Sequence, residues 1–205
     1  MHQKTQEAPA KSPVPRMQAD LGLRLCPPLD TVRMVLEPMG ERHADAFFQP
    51  LHDDALYQWI SIDKPPSLEW LRGHWRGIET RLAPDGQTAW PTWAVRRKSD
   101  GVYLGRVDAE VTQALVASNV GYYFFPEHWG AGYATEAVLA ATRHLMAQGI
   151  YHLVATVTLG NTASERVLTK AGFAFNRVLI GNDQLRGVAV DDLEYVKSAF
   201  QSSIA

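Results

Sequence analysis

The chain has 205 residues, of which 46% are hydrophobic and 20% are charged, which suits one folded domain with a sizeable core and not a disordered chain. Twenty basic and 22 acidic residues give a net charge of -2, which argues against a protein that binds DNA or RNA mainly through their phosphates or docks on a membrane through a polybasic surface. A single cysteine, Cys26, excludes an intrachain disulfide framework and a cysteine-rich zinc module.

The N-terminal segment has no apolar core of the kind that a signal peptide needs. The uncharged stretch 144–164 is interrupted by Gln, Gly, His and Asn, so it predicts no membrane span. We therefore expect a soluble, cytoplasmic protein. Residues 1–20 are rich in Pro, Ala, Gln and Lys and predict a disordered or mobile arm, followed by a single domain over 21–205. The seven histidines show no metal-ligand spacing, so no metal is expected.

The first half of the domain predicts one strand and two helices. Alternating apolar residues indicate a strand around 32–36, ended by Pro38. A short helix is predicted from Arg42 to about His52. A clearer helix starts after Ser67, and its apolar side chains recur every three or four residues. Those side chains are Leu68, Leu71, Trp75, Ile78 and Leu82.

The second half predicts an antiparallel meander and then alternating helices and strands. The meander strands are predicted at 92–97, 102–112 and 120–125. A helix at 135–148 ends at Gly149, and an uncharged strand at 153–159 is expected to be buried on both faces. The next helix is predicted at 161–170, with Thr162 and Glu165 at capping-box spacing. Two last strands, 173–180 and 193–196, flank a polar loop at 181–192. This order predicts a mixed α/β or α+β fold with a central, mostly antiparallel sheet.

The segment GYYFFPEHWGAGYATEA, residues 121–137, is the most informative part of the chain. Pro126 ends a strand, and a loop with Gly130 and Gly132 leads directly into a helix. Glycines at such a turn let backbone N–H groups approach an anion, and the free amides of the helix start favour phosphate. The loop lacks the lysine of a P-loop and the glycine spacing of a dinucleotide fingerprint. A tight turn with no ligand is the alternative interpretation.

The run WGAGYATEA, followed one helix and one strand later by GNTASERVLTKAGF, resembles the GNAT acetyltransferase superfamily. It is most similar to the Rim-type (RimJ/RimL-like) branch, which includes N-terminal acetyltransferases of ribosomal proteins. The resemblance covers about residues 32–196. It implies a GNAT fold, in which helices flank a twisted, mostly antiparallel sheet and acyl-CoA lies in a cleft between splayed central strands. It also implies transfer of an acetyl group from acetyl-CoA to a primary amine by direct attack, with no covalent acyl-enzyme.

The resemblance assigns roles to residues of both motifs. The superfamily loop reads Q/R-x-x-G-x-G/A, and Trp129, which is usual in the Rim-type branch, takes the first position. The loop would bind the pyrophosphate, and the backbone of strand 122–124 would pair with the pantetheine as an extra strand. Asn161 matches a position whose side chain meets the pantetheine in relatives. The implied acyl-CoA-binding residues are Tyr122, Tyr123, Phe124, Trp129, Gly130, Ala131, Gly132, Tyr133, Ala134, Thr135 and Asn161.

The leaving thiolate needs a proton, and the usual acid is missing. Many relatives carry a tyrosine four residues before the glycine of the closing Gly-Phe pair, where this chain has Leu168. In the Rim-type branch a serine three residues after the asparagine is the proposed substitute, and Ser164 stands there. An ordinary first-turn serine that satisfies a backbone N–H is the alternative. Leu168 also keeps open a sensor that binds acyl-CoA without catalysis.

The attacking amine must lose a proton, so a general base is needed. Asp108 and Glu110 lie two residues apart on a predicted strand and therefore on the same face. If that face lines the acceptor cleft, either carboxylate could take the proton directly or through water. If it does not, both are solvent-facing residues of a half-exposed sheet. Cys26 has no partner that would make it a nucleophile.

The identity of the acceptor stays open at this point. A protein N-terminus, a polyamine or amino acid, and an amine-bearing antibiotic are all compatible with the motifs, so a detoxifying acetyltransferase is the rival enzyme. Five of the six tryptophans fall between residues 59 and 93, where relatives build one wall of the acceptor site. Such rings could line an acceptor pocket or simply pack in the core. A homodimer is also open, since many relatives form one.

Overall fold

The computed structural model describes residues 19–199. Most of the arm predicted over residues 1–20 therefore lies outside the described residues. Ala19 and Asp20 begin the first helix, α1 (Ala19–Leu25). Leu25, at the end of this helix, is fully buried, so the helix is anchored to the core.

Within the described residues the chain forms nine strands and four further α-helices. The other helices are α2 (Ala44–Phe48), α3 (Leu68–Gly77), α4 (Tyr133–Ala147) and α5 (Thr162–Lys170). The strands of the first half are β1 (Leu29–Asp30), β2 (Met34–Pro38), β3 (Thr88–Ala89) and β4 (Thr92–Arg97). Those of the second half are β5 (Tyr103–Thr112), β6 (Val116–Phe124), β7 (His152–Thr158), β8 (Ala174–Leu185) and β9 (Val188–Ser198). No helix among these is long and apolar enough to cross a bilayer.

All nine strands belong to one sheet, in the order β1-β2-β4-β5-β6-β7-β9-β8, with β3 beside β5. Every pairing is antiparallel except that of β6 with β7. These two parallel strands share only two residue pairs, Val116 with His152 and Ala117 with Leu153. Beyond Ala117 they diverge and leave a cleft between their C-terminal halves. The predicted sheet and the splayed central strands are confirmed.

The helices of the first half follow the sequence pattern with two modifications. The helix predicted to include Leu82 ends earlier: α3 stops at Gly77, a 3-10 turn follows at 78–80, and Leu82 bridges Ala89 instead. Ser67 caps α3, since its Oγ accepts the backbone N–H of Trp70 at 3.1 Å. The helix predicted from Arg42 to about His52 occurs instead as α2 between two short 3-10 turns, at 41–43 and 50–52. Pro50 begins the second of these turns, because proline has no backbone N–H to continue an α-helix.

Three local predictions from the second half are wrong. Strand β7 is not buried on both faces: Leu153, Ala155 and Val157 are buried, but Thr156 is exposed, because one face of the strand borders the cleft. The segment 181–192 is not a loop but the half of a long hairpin next to its turn, in which β8 pairs with β9 through Arg186 and Gly187. Both turn residues have positive φ, as a two-residue hairpin turn demands.

The third error concerns the start of α5. Asn161, not Thr162, caps this helix, and its side-chain oxygen accepts the backbone N–H of Ser164 at 3.2 Å. Asn161 and Thr162 are adjacent polar residues, and both could cap the helix. The course of the backbone after β7 determines which of them precedes the first helical turn.

The single cysteine is part of the core. Cys26 is only 4% exposed, and its thiol donates to the Thr92 carbonyl at 3.3 Å. Burial raises the pKa of this thiol to about 11, although the Arg81 charge and the Thr92 contact act in the opposite direction. A protonated, buried thiol is a poor nucleophile, which agrees with the expectation from the sequence.

Candidate active site

A cavity of about 560 Å³ occupies the cleft between β6 and β7. It is bounded by the starts of α4 and α5, by the segment 59–62 and by the hairpin of β8 and β9. All the site residues expected from the sequence line it except Ala131 and Glu110. Those that do are Asp108, Tyr122, Tyr123, Phe124, Trp129, Gly130, Gly132, Tyr133, Ala134, Thr135, Asn161 and Ser164.

The loop that enters α4 presents bare backbone to this cavity. Gly130 and Gly132 have φ of +75° and +78°, a left-handed conformation that other residues adopt only with strain. Gly132 is the N-cap of α4, and no side chain caps this helix within the described residues. The amides of the first helical turn, at residues 133–135, are therefore available to an anion, in the direction that the helix dipole also favours.

Arg33 holds this loop in place, a role that no sequence pattern indicated. Its Nη1 donates to the Ala131 carbonyl at 2.8 Å, and its backbone N–H and Nε donate to the Glu136 carboxylate at 2.9 and 2.7 Å. Its guanidinium also lies over the Tyr133 ring, 4.4 Å from the centroid. Burial acts to raise the pKa of Glu136, but the hydrogen bonds from Arg33 outweigh it and the pKa is lowered.

Replacing Arg33 with alanine is expected to weaken acetyl-CoA binding about tenfold, equivalent to about 1.4 kcal/mol. The loop then loses its side-chain anchor, and the Glu136 carboxylate keeps the backbone N–H of residue 33 but loses its guanidinium partner beside the free amides of the helix start. Isothermal titration calorimetry with acetyl-CoA measures the change. Arg72→Ala is the matched control, since Arg72 forms an exposed pair with Asp45 away from the loop. An unchanged dissociation constant for the Arg33 variant would contradict the anchoring role.

The two edges of β6 differ in their pairing with other strands. One edge pairs with β5 along most of its length, whereas no strand in residues 19–199 pairs with the other edge beyond Ala117. That second edge faces the cavity. At its end, the Trp129 indole N–H donates to the Phe124 carbonyl at 2.6 Å, which ties the glycine loop back to the strand.

The two candidate bases differ in whether they line the cavity. Asp108 lines the cavity, and its Oδ2 accepts a hydrogen bond from Arg106 at 3.3 Å. Gly121 lies opposite it on β6, where a Cβ would come within 3.1 Å of the carboxylate. Glu110 shares the face of β5 but is exposed, pairs with Asn119 and does not line the cavity.

The candidate acid has an unexpected partner. Ser164 Oγ lies 2.6 Å from the Tyr122 hydroxyl, and Asn161 already satisfies the serine backbone N–H. The hydroxyl of Ser164 therefore does not serve as a helix cap. Leu168, at the position where many relatives have tyrosine, is fully buried in the core. Burial raises the pKa of Tyr122, although the Ser164 contact acts to lower it.

Several other charged side chains line the cavity and carried no sequence signal. Arg166 and Lys170 lie one turn apart on α5, and Asp183 and Asp192 come from the β8–β9 hairpin. Residues 19–199 contain no group of three or more His, Cys, Asp or Glu side chains placed to hold a metal ion.

Four tryptophans of the segment 59–93 differ in their surroundings. Trp59 lines the cavity, whereas Trp75 and Trp93 are buried. Trp70 is exposed and stacks on His74, 4.9 Å between centroids. An aromatic acceptor wall is thus limited, among these four, to Trp59.

Comparisons with known proteins agree with this geometry. The sequence profile of the acetyltransferase (GNAT) domain matches residues 33–174, more than half of the chain. The uncharacterized N-acetyltransferase YoaA of Bacillus subtilis is 26% identical over 155 residues, which cover 75% of this chain and 86% of YoaA.

Many solved structures share the fold, RimL and RimJ among them. RimL, a ribosomal L7/L12 alpha-N-protein acetyltransferase in complex with coenzyme A, matches with a TM-score of 0.73 and 18% identity over 83% of this chain and 97% of RimL. Mycobacterium smegmatis RimJ, in complex with CoA-disulfide, matches with a TM-score of 0.74 and 23% identity over 87% of this chain and 88% of RimJ. The resemblance drawn from the two motifs is confirmed: the chain belongs to the GNAT family of acetyl-CoA-dependent N-acetyltransferases.

Proposed function

We propose that the protein transfers the acetyl group of acetyl-CoA to a primary amine of a protein N-terminus or a small molecule, inside the cavity between β6 and β7. The observation that carries this proposal is the pairing of two features at one cleft. The glycine loop before α4 offers free amides to an anion, and the unpaired edge of β6 offers backbone groups to an extended chain. Acetyl-CoA joins a pyrophosphate to a pantetheine arm, so its binding needs both the free amides and the unpaired strand edge.

The residues present suit this ligand. Gly130 and Gly132 keep side chains away from the anion site, and Arg166 and Lys170 add positive charge to the cavity wall. The Asn161 side chain lines the same cavity, with its oxygen engaged by the Ser164 amide. Bound acetyl-CoA supplies the thioester that the amine attacks.

We assign the base role to Asp108, because it is the candidate carboxylate that lines the cavity. Asp108 takes the proton of the attacking amine, directly or through water. Direct attack is favoured over an acyl-enzyme, since Cys26 is buried in the core and its thiol is protonated. Ser164 is assigned the role of stabilising the sulfur of the departing thiolate.

The acidic residues of the cavity favour a cationic acceptor, although Arg106, Arg166 and Lys170 place an equal number of positive charges on its wall. Asp108, Asp183 and Asp192 all line it, and carboxylates attract the ammonium form in which most amines arrive. RimL is an alpha-N-protein acetyltransferase of ribosomal L7/L12, which favours a protein N-terminus as the acceptor, and a small amine is the second candidate. A third candidate is an acyl-CoA sensor without catalysis, which the buried Leu168 favours because that position supplies no acid.

A thermal melt tests the ligand assignment. Acetyl-CoA at a hundred times its dissociation constant should add about 2.7 kcal/mol of stability, a rise in melting temperature of about 5 °C or more. Propionyl-CoA and free CoA serve as related ligands, and NADH as the negative control. No shift with any CoA species would contradict the proposal. A shift without acetyl transfer to N-terminal peptides or small amines would favour the sensor.

A further inference from the structure

Tyr122 and Ser164 join the two walls of the cleft. Tyr122 lies in the second half of β6, Ser164 lies in the first turn of α5, and both line the cavity. The Tyr122 hydroxyl is 2.6 Å from Ser164 Oγ and 3.1 Å from the Ser164 carbonyl oxygen. The contact is the side-chain link between the strand edge and the helix that face each other across the site.

Either hydroxyl could be the donor in this pair, and the tyrosine is the donor in the arrangement that we infer. Burial raises the pKa of Tyr122, so the phenol keeps its proton at neutral pH. The Ser164 carbonyl belongs to α5, where the N–H four residues further on engages it. That carbonyl keeps a second lone pair and is 3.1 Å from the phenol, but the arrangement that we infer places the phenol proton in the shorter contact, to Ser164 Oγ.

The proton of Ser164 is then free to point into the cavity. Within residues 19–199 no other hydrogen bond engages Ser164 Oγ, and the capping of the helix is done by Asn161. Each hydroxyl has a single proton. Since Tyr122 uses its proton on the serine oxygen, the serine cannot give its own proton to Tyr122 and must find another acceptor.

We infer that Tyr122 is a positioning residue that directs the Ser164 hydroxyl proton toward the sulfur of the leaving thiolate; this inference rests on the acetyl transfer proposed above. The C–N bond forms as the C–S bond breaks, and the electron pair of the broken bond goes to sulfur. Ser164 donates a hydrogen bond to that sulfur, Asp108 takes the amine proton, and solvent protonates the thiolate after release. No proton leaves Tyr122.

The first test needs neither an acceptor nor turnover. Free CoA is bound to the protein, and its thiol is titrated by the ultraviolet absorbance of the thiolate, with the desulfo-CoA complex subtracted to remove the tyrosine signal. A hydrogen bond to the thiolate lowers the pKa of the thiol. We expect Tyr122→Phe and Ser164→Ala each to raise the pKa of the bound thiol by about one unit relative to the wild type.

Tyr195→Phe is the matched control. Tyr195 donates to Glu165 on the same helix at 2.9 Å, so this variant also removes one phenol hydroxyl that tethers α5. A purely structural role for such tethers would move the thiol pKa in both tyrosine variants. If Tyr122→Phe leaves the thiol pKa at its wild-type value, or if Tyr195→Phe shifts it equally, the inference is overturned.

A kinetic cycle provides the second test. Tyr122→Phe should lower kcat about tenfold with little change in the KM for acetyl-CoA, since one hydrogen bond to a charged atom is misdirected. Because Tyr122 acts through Ser164, the double variant should be no slower than Ser164→Ala alone. If the losses of kcat in the two single variants multiply in the double variant, the inference is overturned. Failure of wild-type CoA binding in the thermal melt would instead mark failure of the proposed function, and the inference would fall with it.

Discussion

Asp108→Asn should slow acetyl transfer about a hundredfold at neutral pH, the lower range for loss of a general base. Asparagine keeps the size of the side chain and its place beside Gly121 but cannot take the amine proton. Acetyl-CoA affinity should stay within about twofold, because the change removes a proton acceptor and no ligand contact that the proposal invokes. Initial rates at saturating acetyl-CoA, together with calorimetric binding, measure both quantities.

Glu110→Gln is the control whose rate of acetyl transfer is compared with that of Asp108→Asn. It removes the same charge from the same face of β5, two residues further along, where the side chain is exposed and outside the cavity. A large loss in Glu110→Gln with full activity in Asp108→Asn would move the base role to Glu110. For Asp108→Asn the deficit should also shrink as pH rises, since a larger share of the amine is already neutral.

Gly105→Ala should produce the largest loss of stability, about 3 kcal/mol in the free energy of unfolding. Gly105 pairs with Phe124 across β5 and β6. A Cβ there would lie 2.7 Å from the Phe124 Cα and closer still to the Tyr123 carbonyl oxygen, both backbone atoms that can move only if β6 moves. Urea denaturation measures the change, and acetyl-CoA binding should weaken as well, because β6 forms one wall of the cavity.

Gly73→Ala is the control, and it should act in the opposite direction. Gly73 is exposed in α3, and nothing lies within 4 Å of the Cβ that the substitution adds. Alanine in a helix interior is favoured over glycine by about 1 kcal/mol. Equal destabilisation by both substitutions would show that backbone crowding between β5 and β6 is not the cause.

Patterns among neighbouring residues predicted most of the secondary structure. Strand β4 was predicted to the residue, and the Ser67 cap placed the start of α3 correctly, although the apolar repeat extended the predicted helix beyond its end at Gly77. The predicted breaks between helices and strands were wrong where the residue pattern was ambiguous. The polar run at the end of β8 and the start of β9 predicts a loop because both faces of this part of the hairpin are largely solvent-exposed, which removes the apolar alternation that marks a half-buried strand.

The cavity wall was predictable to the extent that one contiguous segment builds it. The glycine loop, the start of α4 and the end of β6 lie together within 121–137, so their proximity is guaranteed by the chain itself. Ala131 belongs to the same segment yet does not line the cavity; its carbonyl is engaged from outside by Arg33.

The sequence by itself determined the family, the order of most elements and the position of the glycine loop before α4, because these depend on residues close together in the chain. The tertiary structure decided the rest. Arg33 reaches Ala131 across 98 residues, and Tyr122 reaches Ser164 across 42. It also decided that the cavity includes Asp108 and ends before Glu110. Such contacts depend on which strands become neighbours and where two of them separate, and no local spacing of residues encodes that.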